Sequence, residues 1–300
     1  GDYLLRTMAY ALTGYTDNDA LTFHYGDGAN GKSVLVRLME RLLGPDLFLR
    51  ISYSTLTTRY SGTPVEYAKA AIENKRLVVV TEIPADLPIE EQVIKDLVGG
   101  DTVTGRNPYD PAMNFPPTHK LWLCGNHKPV VMGTDRGFWR RMKLLPWQVT
   151  FDGTVPRSGL VAEMAAEAPG ILNRLLPAWW EIQASGMNEP RIVTDATFEY
   201  RNDEDQVKRF ADQRIAAAPG QQVRTTSAFS HYKTWCDQEG ETPKARTARR
   251  FVPQLRRLGY GIEEGHAGTR SIIDLRMCEN PAEEAADGAA DGAADGPTPL

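Results

Sequence analysis

With 300 residues, 41% hydrophobic and 24% charged, the chain has a globular composition with room for about two domains, and disorder as its general state is excluded. No apolar run reaches the roughly 18–20 residues of a membrane span, no secretory pattern opens the chain, and the three scattered cysteines form neither a disulfide framework nor a zinc cluster, so no membrane partner and a cytoplasmic location are expected. The net charge of −5 sits at the end: residues 279–300 hold six acids and no Lys or Arg, leaving 34 basic against 33 acidic residues elsewhere.

Gly1 rather than Met opens the chain inside a helical pattern, so a longer parent protein with material upstream is expected. Residues 1–150 alternate helical and extended patterns: Leu4 to Leu12 helical, Leu21 to Tyr25 extended, Lys32 to Leu43 helical, Leu77 to Thr81 extended, Ile89 to Val98 helical and Lys120 to Cys124 extended. Such alternation predicts an α/β fold with a largely parallel sheet. Residues 160–185 read as helix, with Leu160, Met164, Leu172, Leu175, Leu176 and Trp179 as the core stripe and Trp180 also assigned to packing. Gly186 to Pro190 reads as a linker. Beyond it come helical patterns over Asp205 to Ala217, Thr226 to Gln238 and Lys244 to Leu258, then short extended runs around 260–263 and 270–275, the outline of a winged helix. The expected domains are therefore 1–155, a helical extension over 156–190, a winged helix over 191–278, and a disordered acidic tail over 279–300 whose Ala-Ala-Asp-Gly repeats are too poor in large apolar groups to fold.

Gly26-Asp27-Gly28-Ala29-Asn30-Gly31-Lys32-Ser33 matches GxxxxGK[ST] between an extended and a helical run. In such a loop the glycines let successive N–H groups face a polyphosphate, Lys32 reaches the β/γ oxygens, and the Ser33 hydroxyl ligates Mg²⁺. The expected ligand is a nucleoside triphosphate. Arg76 to Thr81 ends in Glu82, the candidate carboxylate for the Mg²⁺ shell or for polarising the attacking water. Lys120 to Cys124 ends in Gly125-Asn126, and Asn126 would lie beside Glu82 if those strands are neighbours, where a neutral amide can orient water against the γ-phosphate. No nucleophilic triad is visible. Later in the chain Lys244, Arg246, Arg249, Arg250, Arg256 and Arg257 fall within 15 acid-free residues that carry Phe251, Leu255 and Leu258 at helical spacing, a pattern suited to DNA phosphates.

Together GDGANGKS, RLVVVTEIP, the phrase from Gly99 through Arg106 to Asn126, and DRGFWRRMKLLPW resemble superfamily 3 helicases, specifically the C-terminal helicase part of phage and plasmid primase-helicases, over about residues 1–150. The resemblance implies an AAA-type P-loop ATPase using ATP and Mg²⁺, working on DNA as a homo-oligomeric ring, usually a hexamer, with other replication proteins as further partners. It implies a trans-acting arginine among Arg140 and Arg141, and a DNA-gripping hairpin over Thr102 to Phe115, with Tyr109 on it and Arg106 and Lys120 as the nearest cations. A DNA-packaging ATPase and a nucleotide-gated origin-binding protein remain the alternatives.

Overall fold

The computed structural model describes residues 1–57, 63–85, 87–151, 158–265 and 269–278. The chain divides between Arg201 and Asn202 into two compact units.

In chain order the first unit holds α1 (Asp2–Leu12), β1 (Leu21–Tyr25), α2 (Lys32–Leu47), β2 (Phe48–Ile51), a 3₁₀ turn (Tyr53–Leu56), α3 (Thr63–Ala71), β3 (Leu77–Thr81), β4 (Pro88–Ile89), α4 (Glu91–Val98), β5 (Val103–Gly105), β6 (Met113–Phe115), β7 (Lys120–Gly125), β8 (Val130–Val131), α5 (Arg136–Trp139), β9 (Met142–Pro146), α6 (Leu160–Ala166), α7 (Ala168–Ser185) and α8 (Arg191–Glu204). Five strands form one sheet in the order β2-β3-β7-β1-β9, every neighbouring pair parallel. A parallel sheet is covered on both faces, so its strands are continuously apolar. Leu77, Val78, Val79 and Val80 are accordingly all fully buried. Because side chains alternate along a strand, Val78, Val80, Leu121 and Leu123 face one core with α4, α5 and Tyr200. Leu77, Val79, Trp122 and Cys124 face the other, with Leu35 and Met39 of α2, Met8 of α1 and Leu175 of α7. The regular part of α2 stops at Gly44, whose φ of 68° and ψ of 176° leave the helix just before Pro45.

The helical pattern over 160–185 resolves into two helices, and the core stripe differs from the expected one. Leu175 and Ala178 are buried, with Ile171, Trp179 and Ile182 packed beside them, whereas Leu172, Leu176 and Trp180 are exposed. One face, spaced 171, 175, 178, 182, meets α1, where Arg6 pairs with Glu181 at 3.0 Å, and Trp179 stacks on Tyr15 just beyond the end of α1. The boundary expected at Arg191 is also corrected: Val193 and Tyr200 of α8 are fully buried, and Tyr200 lies in the core of the first unit.

The second unit runs α9 (Gln206–Arg214), β10 (Ile215–Arg224), α10 (Thr225–Gln238), α11 (Ala248–Arg257), β11 (Ile262–Glu264) and β12 (Arg270–Met277). Its strands form an antiparallel sheet in the order β10-β12-β11, over a core of Phe210, Tyr232, Trp235, Phe251, Leu255, Ile272 and Leu275. Helix was expected through Ala217, yet α9 ends at Arg214, because pairing of Ile215, Ala216 and Ala217 with β12 overrides the helix preference of alanine. The tail 279–300 lies outside the described residues.

Candidate active site

Gly26 to Gly31 join the C-terminal end of β1 to the first turn of α2. A Cβ on Gly26 would stand 2.4 Å from the Trp147 carbonyl oxygen and 2.8 Å from Asn30 Nδ2, so no larger residue fits there. Gly31 caps α2 at φ 92°, the left-handed region open to glycine, and this aims the unpaired N–H groups of the helix start into the loop. Gly28 and Ser33 are exposed, while Asn30 and Lys32 are buried at 5% and 7% exposure. Lys32 Nζ donates to the carbonyls of Gly26 at 2.6 Å and Asp27 at 3.0 Å, and to Asn30 Oδ1 at 2.9 Å. Asn30 Nδ2 in turn donates to the Asp27 carbonyl at 2.5 Å. The ammonium is thus held inside the loop, and burial lowers its pKa from the usual lysine value.

Glu82 and Asn126 leave β3 and β7 next to this loop. Thr81 is in register with Cys124, and Gly125 with Tyr25, so Glu82, Asn126 and Gly26 follow the ends of three adjacent strands. Two contacts keep the exits together. The Ile83 side chain packs where a Cβ on Gly125 would be, 2.8 Å from its Cδ1, and β4 pairs in parallel with β8. Glu82 has φ 60°, a strained value for a residue with a Cβ. Both side chains are exposed, and among the described residues neither makes a hydrogen bond or ion pair. Ligands issuing from the carboxyl ends of a parallel sheet, where its strands meet helix N-termini, are the usual arrangement of such folds.

His24, absent from the sequence reading, is fully buried on β1. Its Nδ1 accepts from Trp147 Nε1 at 3.2 Å, and its Nε2 is buried without a partner among the described residues. Burial, with the Lys32 charge adding to it, holds the imidazole at about 3 and therefore neutral. A single histidine inside an apolar strand gives no sequence signal beyond that of an ordinary core residue.

The arginine pair is split. Arg141 is only 12% exposed and donates to Asp19 Oδ2 at 3.1 Å and to the Gly137 carbonyl at 3.0 Å. Arg140 is 66% exposed and lies 3.5 Å from the same carboxylate. With Arg136 and Arg201 it lines a surface cavity of about 300 Å³ whose walls include Trp139 and Met142.

The expected hairpin exists as β5 and β6, with Tyr109 fully exposed between them at φ 67°. Of its two expected cations, Arg106 is partly exposed and Lys120 is buried. Arg106 pairs with Glu66 at 3.3 Å. Lys120 is 6% exposed at the start of β7, the end of the strand away from Asn126, where it donates to the Thr13 carbonyl and to Thr13 Oγ1 at 3.2 Å. Burial brings its pKa down to about 7, so Lys120 is a core residue rather than a surface cation. In the second unit Arg249, Arg250, Arg256 and Arg257 are all exposed on α11, and Arg257 in addition pairs at 2.5 Å with Asp205, a 4% exposed side chain that also caps α9. Arg257 thereby ties the last turn of α11 to the start of α9.

Among the described residues no group of three or more His, Cys, Asp or Glu could hold a metal. Ser33 and Glu82 are both exposed and carry oxygen ligands of the kind Mg²⁺ takes. None of the described helices is long and apolar enough to cross a membrane.

A family model described as a family of unknown function (DUF5906) matches residues 24–141. "Putative helicase L207/L206" of Acanthamoeba polyphaga mimivirus is 26% identical over 276 residues, covering 84% of this chain and 28% of the relative. "Putative primase C962R" of African swine fever virus (strain Badajoz 1971 Vero-adapted) is 22% identical over 231 residues, covering 70% of this chain and 24% of the relative. The chain thus spans about a quarter of the length of these curated relatives. The apo structure of the NrS-1 C terminal region shares the fold, with a TM-score of 0.51 at 12% identity, over 91% of this chain and 71% of that one. These matches agree with the resemblance carried by the Gly26–Ser33 loop and the Glu82 and Asn126 strands: the relatives cited bear the names of a helicase and a primase of large DNA viruses, and the NrS-1 region shares the fold.

Proposed function

We propose that the chain is the ATP-hydrolysing motor of a replicative DNA helicase of the superfamily 3, AAA-type class, acting as a ring of copies. The observation that carries this reading is the convergence of Gly26–Ser33, Glu82 and Asn126 at the ends of β1, β3 and β7. In the proposed reaction the triphosphate lies over the loop amides and the start of α2, and its oxygens replace the loop carbonyls as partners of Lys32 Nζ. Glu82 accepts a proton from, or orients, the water that attacks the γ-phosphate, and Asn126 holds that water by a neutral hydrogen bond. Ser33 and Glu82 would hold Mg²⁺, which neutralises charge on the transferring group.

Arg140 is the cation offered to a neighbouring copy's nucleotide, since it is exposed at a cavity containing two further arginines. Arg141, locked on Asp19, is a positioning residue that sets the turn carrying Arg140. Tyr109, at the exposed tip of the hairpin, is the contact offered to single-stranded DNA, because an aromatic face stacks on any base.

The functional test is strand displacement on a forked duplex. Wild-type protein should separate the strands only with hydrolysable ATP. ATP turnover without displacement at any concentration would instead support a packaging motor, and ATP-dependent binding without turnover an origin-binding protein.

The order helix, strand, helix, helix, strand, strand in the second unit supports a winged helix, with α11 as the duplex-facing element. Changing Arg249, Arg250 and Arg256 to Ala together should weaken duplex binding. If each meets one phosphate, the slope of log affinity against log salt should become shallower by about 0.9 per contact, roughly 3 in all. An unchanged slope assigns these arginines to solvent. Arg257→Ala should instead lower the melting temperature, because Asp205 would remain buried without its partner.

A further inference from the structure

The strand order gives the site two sides. Glu82 and Asn126 lie on the β3 and β7 side of the phosphate loop, and β9 lies on the other. A nucleotide whose terminal phosphate faces Glu82 and Asn126 must therefore extend its sugar and base toward the segment that follows β9. That segment is tied to the loop by its backbone: Trp147 N–H donates to the Tyr25 carbonyl at 2.7 Å, and Phe151 N–H to the Ala29 carbonyl at 2.8 Å. The Trp147 indole is engaged with His24 and the core. Phe151 is 54% exposed, and its Cε2 lies 4.0 Å from where a Cβ on Gly31 would stand; Val149 beside it is 66% exposed. An aromatic residue more than half exposed thus borders the phosphate loop, on the side away from the carboxylate and amide.

We propose that Phe151 is the base-stacking residue of the nucleotide site, receiving the base of the triphosphate bound at Gly26–Ser33. This rests on the nucleotide reading given above. Stacking accepts every base because each has a π face, so Phe151 contributes affinity with little choice between adenine and guanine.

The test is calorimetric titration of the full chain, with Mg²⁺, by ATP, GTP and inorganic tripolyphosphate. Phe151→Ala should weaken ATP and GTP alike by about ten-fold and leave tripolyphosphate unchanged, and Phe151→Trp should restore both nucleotides. Phe151→Leu, which keeps apolar bulk without the π face, should fall between them. Unchanged nucleotide affinity in Phe151→Ala overturns the stacking assignment alone. A parallel loss of tripolyphosphate also overturns it, because the residue would then only support the loop. Wild-type protein that binds neither ATP nor tripolyphosphate overturns the nucleotide reading itself.

Discussion

Lys32→Ala should reduce ATP turnover by at least about 10²-fold, the loss that follows removal of one preorganised charge donor from a transition state. The cause is geometric as well as electrostatic. Lys32 Nζ stands among the Gly26 and Asp27 carbonyls and the Asn30 amide, close to where loop-bound phosphate oxygens would lie. Its partial desolvation strengthens its interaction with those oxygens relative to a solvated lysine. The same substitution should weaken nucleotide binding, because the ammonium meets phosphate in the ground state too. A Lys32→Ala protein with undiminished turnover would show that hydrolysis occurs elsewhere.

Arg140→Ala should bind ATP nearly as wild type does and hydrolyse it about 10³-fold more slowly, the range associated with an arginine supplied to a transferring phosphoryl group. Arg141→Ala should behave differently. Its guanidinium is mostly buried against Asp19 and Gly137, so its loss leaves the Asp19 carboxylate with only the longer Arg140 contact and should lower thermal stability as well as activity. A mixing experiment separates trans from cis action. Arg140→Ala contributes intact phosphate loops and Lys32→Ala contributes intact arginines, so rings formed from both contain some complete sites and should regain turnover. A mixture that assembles yet stays as inactive as its parts would place Arg140 within its own subunit's chemistry or outside the chemistry altogether.

The phosphate loop was legible because its chemistry is local: the glycines, Lys32 and Ser33 must stand at fixed offsets between a strand and a helix. The adjacency of Glu82 and Asn126 was legible as a conditional expectation, and its condition, that β3 and β7 are neighbours, is met. Long-range pairing was not legible. Arg140 and Arg141 are indistinguishable in sequence because Asp19, which separates their roles, lies in the segment before β1. In sequence Lys120 is one of the two cations nearest the hairpin, but the start of β7 is buried beneath Thr13 and Tyr10. Arg256 and Arg257 are equivalent in sequence, and only the pairing of Arg257 with Asp205 distinguishes them. Ile215 to Ala217 carry helix-favouring alanines, and only β12 makes them a strand. Phe151 lies outside every motif and Trp147 only closes the DRGFWRRMKLLPW phrase, since their relation to the loop is made by backbone bonds from the far end of β9.

The most direct test of the central claim, that Gly26–Ser33 and Glu82 form one hydrolytic site, measures ATP binding and ATP turnover side by side on Glu82→Gln. The amide keeps the shape of the side chain and removes its capacity to take a proton. ATP affinity should stay within a few-fold of wild type while turnover falls by about 10²-fold or more. Wild-type turnover in Glu82→Gln would contradict that claim, and would remove the end of β3 from the chemistry.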